Sequence, residues 1–186
     1  MAAALPAQIT SYQPQGAKEA RDLDRILSIS EPDPWLREIP LHLTGSAIIV
    51  HPESGRVLLR WHERQQAWLQ VGGHGDPGES DPLAVALREA TEETGLTDLV
   101  PWPAPDLIHV VVVQVPAGRG EPAHEHADLR FVLATGSPEQ ARAETAGSPV
   151  RWLSLADAIR LTSADNLAES LSRLRPMLAA AAQASR

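Results

Sequence analysis

Apolar and polar positions along this chain repeat with two different periods, and the switches between them mark out its elements. Leu43 to Val50 reads as a buried strand, His51-Pro-Glu-Ser-Gly55 as a turn, and Val57 to Trp61 as the returning strand. Ala67 to Val71 is a short strand feeding a glycine turn. From Pro82 the period becomes helical: Leu83, Leu87, Ala90 and Thr94 recur as a core-facing stripe. Asp81 can accept bonds from the first free N–H groups, Pro82 tolerates the first helical position and Gly95 suits a left-handed stop. The helix is therefore predicted over Pro82 to Thr94. Leu107 to Val115 and Leu129 to Ala134 follow as strands, with Glu121 to Asp128 as their connector. Gly136 to Ser148 reads as an exposed linker, and Ser154 starts another helix. A last helix is predicted from about Asn166 to Ala179, striped by Leu167, Leu171, Leu174 and Leu178, before an alanine-rich tail that frays. Ahead of these elements the first fifteen or so residues read as irregular. Ala17 to Ser30 reads as a helix with Ala20, Leu23, Ile26 and Leu27 on one side, and Trp35 to Leu41 as a connector. The order is mixed α/β without the regular alternation of a doubly wound sheet.

At 186 residues the chain suits one domain with a proper core plus some extension. It has no cysteine, which excludes a disulfide framework and a thiolate metal site and fits a reducing compartment. No apolar run reaches the ~18 residues of a membrane span. The N-terminus lacks the basic start and long apolar stretch of a signal peptide. A cytoplasmic protein with no membrane partner is the expectation. A net charge of −8 disfavours nonspecific nucleic-acid binding. It also repels anionic ligands at long range, so a phosphate would need local help from a metal and backbone amides. The N-terminal part, residues 1–40, either packs on its own domain or contributes to a homodimer.

The predicted central helix carries the most informative chemistry. At about 100° per residue, Glu89, Glu92 and Glu93 fall within an arc of roughly 100° on a face other than the apolar stripe. Like charges at such spacings repel by a few tenths of a kcal/mol each, a cost that a bound cation reverses. Magnesium prefers carboxylate oxygens and is often completed by substrate phosphates. Taken alone, such a cluster is more often a solvated acidic face, so the surroundings decide.

Those surroundings are Gly73-His74-Gly75-Asp76-Pro77-Gly78-Glu79 and Arg88-Glu89-Ala90-Thr91-Glu92-Glu93-Thr94-Gly95-Leu96. Together they resemble the signature of the Nudix hydrolases, G-x5-E-x7-R-E-U-x-E-E-x-G-U with U apolar. One departure is that eight residues, not seven, separate Glu79 from Arg88. The surplus falls at Ser80-Asp81, in the turn before the helix, where loops absorb insertions at little cost. Trp68-Leu-Gln-Val-Gly-Gly resembles the family's aromatic-x-x-Pro-Gly-Gly segment with Val71 in place of Pro, and Val150-Arg-Trp-Leu153 resembles its late V-x-W strand. The resemblance covers about Leu41 to Leu161. It implies the Nudix α/β/α sandwich around a mixed β-sheet as residues 41–161, with an extra N-terminal helix within 1–40 and a C-terminal helix and tail over 162–186.

The resemblance further implies that Glu89, Glu92 and Glu93 bind Mg2+ or Mn2+, with a carbonyl of Gly72 or Gly73 adding a ligand. It implies that Arg88 and Glu79 pair and hold the turn against the helix. The reaction implied is attack of water on a phosphorus of a nucleoside diphosphate derivative: a nucleotide sugar, a dinucleotide or a nucleoside triphosphate. Glu93 or Glu89 is favoured as the base, with Glu121, Glu125 and Asp128 as remote candidates. His74, Trp68 and Glu125 are candidates for substrate contact. Trp61 and Trp102 are further candidates for base stacking, and Trp152 reads as core. His124 and His126 suit a phosphate or a metal, or are simply solvated. Two other functions stand beside hydrolysis. One is a non-catalytic Nudix-like nucleotide-sensing module, whose box is typically eroded at the helix acids, whereas all three are present here. The other is diphosphate isomerisation, which uses a catalytic cysteine that this chain lacks.

Overall fold

The structure, a computed structural model, describes residues 5–118 and 120–184. After a short helix α1 (Ala7–Thr10) and a longer α2 (Ala17–Leu27) come β1 (Leu41–His51), β2 (Arg56–His62), β3 (Ala67–Leu69), β4 (Val71–His74) and α3 (Pro82–Thr94). Then follow β5 (Val100–Pro101), β6 (His109–Val115), β7 (His124–Ala134), β8 (Val150–Ser154), α4 (Leu155–Leu161) and α5 (Asp165–Ala184). The strands form one mixed sheet. Its spine is the parallel pair β1 and β7, in register from Leu41 opposite Glu125 to Val50 opposite Ala134. The other pairings are antiparallel: β4 and β2 share the free edge of β1, β6 and β5 share that of β7, and β3 and β8 pair with β2.

Helices cover both faces of that spine, giving the expected α/β/α sandwich. Alternate residues of a strand face opposite sides. Leu43, Ala47 and Ile49 of β1 join Ala127, Leu129, Phe131 and Leu133 of β7 in one core, under Val85, Ala86 and Ala90 of α3 and Leu23 and Ile26 of α2. Ile48, Val50, Val132 and Ala134 form the other core with Leu167, Leu171 and Leu174 of α5 and Ala158 of α4. On this second face both strands change character halfway. The same alternate row continues as His42, Thr44 and Ser46 on β1, and as His124, His126, Asp128 and Arg130 on β7. The start of α5 sits at the boundary, where Arg130 donates to the Asn166 carbonyl at 3.1 Å, Asn166 Oδ1 at 3.0 Å and Ser170 Oγ at 3.0 Å. Half of this face is apolar and covered; the other half is polar and lines a cleft.

Helix α3 occupies its predicted span, but its buried line is Pro82, Val85, Ala86, Ala90 and Thr94, with Leu83 and Leu87 only part-buried beside it. The cause is Gly45 on β1. A Cβ there would lie 2.8 Å from the Pro82 carbonyl oxygen and 3.0 Å from Val85 Cγ1, so the helix approaches the strand backbone closely and small side chains take the centre.

Four stretches differ from the sequence expectation. Of the supposedly irregular start, residues 1–4 lie outside the described residues, while Ala7–Thr10 is helical and Ile9 is fully buried. His124 to Asp128, read as connector, belongs to β7; its polar residues alternate with a strand's period because they line the cleft. The linker around Gly136 to Ser148 is partly packed: Pro138–Gln140 forms a 3-10 turn, the Arg142 N–H donates to the Thr94 carbonyl at 2.8 Å, and Ser148 is buried. Helix α5 runs on to Ala184, past its predicted end near Ala179, since alanines favour helix. No helix among the described residues is long and apolar enough to cross a membrane.

The N-terminal segment is pinned to the domain by a buried carboxylate. Glu19 of α2 accepts Arg173 of α5 through both oxygens, at 2.9 and 3.0 Å, and also accepts the Tyr12 hydroxyl at 2.6 Å and the Val110 N–H at 3.1 Å. Burial works against the charge, but Arg173 and these other donors hold the Glu19 pKa below its ordinary value. Removing one partner of such a pair strands the other in a desolvated site. Glu19→Ala is expected to lower unfolding free energy by about 3–5 kcal/mol in urea titrations. A loss under about 1 kcal/mol would show that the tie is dispensable.

Candidate active site

The glycine turn and α3 are locked together by one guanidinium. Gly72 takes the left-handed φ of +145°, and a side chain there would meet Ser46 Oγ at 2.4 Å and the Gly45 carbonyl oxygen at 2.6 Å. The chain then leaves β4 through Asp76 to Ser80, where the Asp76 N–H donates to Glu79 Oε2 at 2.7 Å. Helix α3 starts on Asp81, whose side chain accepts the Leu83 N–H at 3.0 Å. Arg88 then reaches back. It donates to both Glu79 oxygens at 3.0 and 2.9 Å, to the His74 carbonyl at 2.8 Å, to Glu89 Oε1 at 3.0 Å and to Glu92 Oε2 at 3.1 Å. All five guanidinium N–H groups are thereby engaged. The Arg88 bonds hold the Glu79 pKa below the usual carboxylate range. The extra residue at Ser80-Asp81 has therefore not separated Glu79 from Arg88.

The three helix acids stand in different environments. Glu92 is half-exposed. The Glu89 carboxylate lies against Gly73 so closely that a Cβ on Gly73 would sit 2.6 Å from its carbon and both oxygens. Burial raises the Glu89 pKa, against the pull of Arg88. Glu93 Oε2 accepts the Gly72 N–H at 3.1 Å and its Oε1 pairs with Arg60 of β2 at 3.1 Å. Burial lifts its pKa to about 7 despite Arg60 and the Gly72 N–H. Arg60 also meets Glu144 at 3.3 Å, yet its buried Nε has no hydrogen-bond partner among the described residues.

This donor set fits a hard divalent cation. Carboxylate and carbonyl oxygens are the ligands such ions prefer. The missing side chain at Gly73 leaves the cradle into which Glu89 presses. Two of the carboxylates are desolvated enough that holding both charges is costly without a cation.

Gly72 and Gly73 also line the polar cleft on the sheet's other side, with Thr44, Ser46, Gln70 and His74. The acids and the cleft therefore meet at a step of backbone with no side chain. Asp128 is buried in the cleft floor, accepting Thr44 at 3.1 Å, Ser46 at 2.6 Å and Arg130 at 2.7 Å. Gln70 Oε1, by contrast, is a buried acceptor without a partner among the described residues.

Of the other sequence candidates, His74 and His126 line the cleft and the rest fall elsewhere. His74 leaves β4 toward the cleft face, and its Nε2 is 3.1 Å from His42 Nε2. His126 lines the same cleft. Trp68 packs edge-on against Trp61 at 5.7 Å, lies under Arg151 and sits at the margin of the second core. Glu125 points to the opposite face from its neighbours His124 and His126 and is held by Arg25 and Gln114. Glu121 pairs with Arg64 at 3.0 Å. The sequence reading missed His42, Thr44, Ser46 and Arg60. A signal existed for the first three: polar residues at every second position of a strand face something other than an apolar core.

The NUDIX domain family model matches residues 41–174. No curated protein matches the chain. Among solved structures, a C. elegans Ap4A hydrolase complex superposes with a TM-score of 0.58 at 21% identity, covering 74% of this chain and 98% of its own. The E. coli dihydroneopterin triphosphate pyrophosphohydrolase gives 0.53 at 20%, covering 70% and 92%. The M. smegmatis Nudix hydrolase RenU gives 0.53 at 23%, covering 75% and 86%.

Proposed function

The chain belongs to the Nudix hydrolase family, and from that premise we propose that it uses Mg2+ or Mn2+ to hydrolyse the diphosphate linkage of a nucleoside diphosphate derivative. The observation that carries this is the convergence of Glu89 and Glu93 on the Gly72–Gly73 backbone, with Glu92 one helical turn from Arg88. A divalent cation held by Glu89, Glu92, Glu93 and the Gly73 carbonyl would neutralise charge on the phosphoryl oxygens and lower the pKa of a bound water.

The chain's own residues supply the rest. Glu93, whose carboxylate is oriented by the Gly72 N–H, takes the proton from the attacking water. Glu89, the other desolvated carboxylate, is the second candidate for that proton. Arg88 and Glu79 are positioning residues: they fix the turn so that the Gly73 carbonyl and the acids keep their relation. The nucleoside part of the substrate lies in the polar cleft beyond Gly72, where Gln70 Oε1 is an acceptor still to be satisfied. The names of two structural neighbours, an Ap4A hydrolase and a triphosphate pyrophosphohydrolase, support polyphosphate substrates as the class to examine first.

The test is a panel of dinucleoside polyphosphates, nucleotide sugars and nucleoside triphosphates, incubated with Mg2+ or Mn2+ in 18O-labelled water. The expected result is cation-dependent cleavage of at least one class, with the label in a single phosphate product. If none is cleaved while calorimetry detects tight nucleotide binding, the domain is a sensing module and the proposal fails.

A further inference from the structure

Four histidines meet on the cleft face of the sheet, and none belongs to the acid cluster of α3. Their convergence is a consequence of strand register. His42 on β1 is the direct partner of His126 on β7, and His124 lies two residues earlier on the same face. His74 on β4 is the partner of Thr44, the next residue on that face of β1 after His42. The ring centroids of His42 lie 5.1 Å from His74, 5.3 Å from His124 and 5.0 Å from His126. Three strands of a rigid sheet, rather than a loop, hold the group in place.

We propose that His42, His124 and His126 bind one transition-metal ion of the zinc class through their Nε2 atoms, with a fourth position left open, at a site separate from the carboxylates of α3. Ligand atoms of His42, His124 and His126 all lie within 4.8 Å of one another. The His124 and His126 Nε2 atoms are 3.1 Å apart, as are those of His74 and His42. Tetrahedral zinc with Zn–N bonds near 2.0–2.1 Å needs ligand nitrogens about 3.3 Å apart, so modest ring movements suffice.

The tautomers favour the same use. Nδ1 of His42 lies 2.9 Å from the Ile39 carbonyl oxygen, and Nδ1 of His124 lies 2.9 Å from that of Pro122. A carbonyl accepts only, so each Nδ1 carries its proton and each Nε2 turns a lone pair toward the cluster. A ring nitrogen donating to a backbone carbonyl while the other faces inward is the outer-shell pattern of metal-binding histidine. Among the described residues no carboxylate is hydrogen-bonded to any of the four rings, so they are not explained as partners of an acid. Imidazole donors suit zinc, copper or nickel, whereas Mg2+ and Ca2+ take oxygen. The two sites therefore differ in the ion they select.

The test is titration of the metal-free full-length protein with Co2+ and with Zn2+, followed by visible spectroscopy and calorimetry. Wild type is compared with His124→Asn/His126→Asn and with Glu89→Gln/Glu93→Gln. The expected result is stoichiometric binding with the absorption of tetrahedral cobalt. Affinity should fall at least about 100-fold in the histidine variant and stay unchanged in the glutamate variant. Should the histidine variant misfold by circular dichroism, X-ray absorption of the zinc-loaded wild type still reports whether the first shell is histidine nitrogen. An oxygen shell, loss of binding in the glutamate variant alone, or binding only at millimolar metal would overturn the site.

Discussion

Glu93→Gln is expected to cut cation-dependent turnover by roughly 10²–10⁴-fold, the usual contribution of a general base. The amide is nearly isosteric with the carboxylate and can still accept the Gly72 N–H through its oxygen, so the fold should persist. It cannot take a proton from water at neutral pH, and it weakens the hold on a divalent cation. Stability should move the other way. The folded pKa of Glu93 is raised from 4.5 to about 7. For a raised carboxylate, the stability present below about 4.5 is lost as pH rises through about 7. Each pKa unit corresponds to about 1.4 kcal/mol, so the full penalty is on the order of 3 kcal/mol before the partly lost Arg60 pairing is set against it. Metal-free Glu93→Gln at pH 8 is therefore expected to melt no lower than wild type while being nearly inactive. Full activity in that variant would remove Glu93 from the chemistry.

The adjacent glycines should separate fold from function more sharply still. Gly72→Ala is expected to destabilise the protein by more than about 4 kcal/mol, or to prevent soluble expression. Its φ of +145° disfavours any side chain, and the new Cβ would sit 2.6 Å from backbone atoms of Gly45 and Ser46, which are fixed in the sheet. Gly73→Ala puts its Cβ just as close to something, but that something is the end of the Glu89 side chain. A carboxylate can swing aside; a strand cannot. Gly73→Ala should thus stay within about 1 kcal/mol of wild type in urea titrations and lose most of its cation-dependent activity, because Glu89 is displaced. An active, stable Gly73→Ala protein would mean that Glu89 does not need its place against the turn.

Much of this architecture was legible in the sequence, for local reasons. Helix α3 was bounded correctly because Asp81, Pro82 and Gly95 each supply what a helix end needs. The strands β1 and β2 announced themselves by apolar residues of strand length, and β8 by its resemblance to the family's late V-x-W strand. The Arg88–Glu79 pairing followed from the family resemblance rather than from spacing. What stayed hidden was whatever depended on the partner across the sheet. His124 to Asp128 looked like a loop because a strand lining a polar cleft lacks the apolar alternation used to find strands. His42 drew no attention until register set it opposite His126. Ile9 looked like part of an irregular start and Glu19 like one more polar position on a predicted helix, although Ile9 fills a core and Glu19 anchors Arg173. Arg60, the partner of Glu93, sits on a strand far from the signature, and nothing in the local sequence links the two.

The most direct measurement is anomalous diffraction from a crystal soaked in Mn2+. A peak within bonding distance of Glu89, Glu93 and the Gly73 carbonyl is predicted. Manganese absent from that position, or found at the histidine cluster alone, would contradict the assignment of the α3 carboxylates as the cation site.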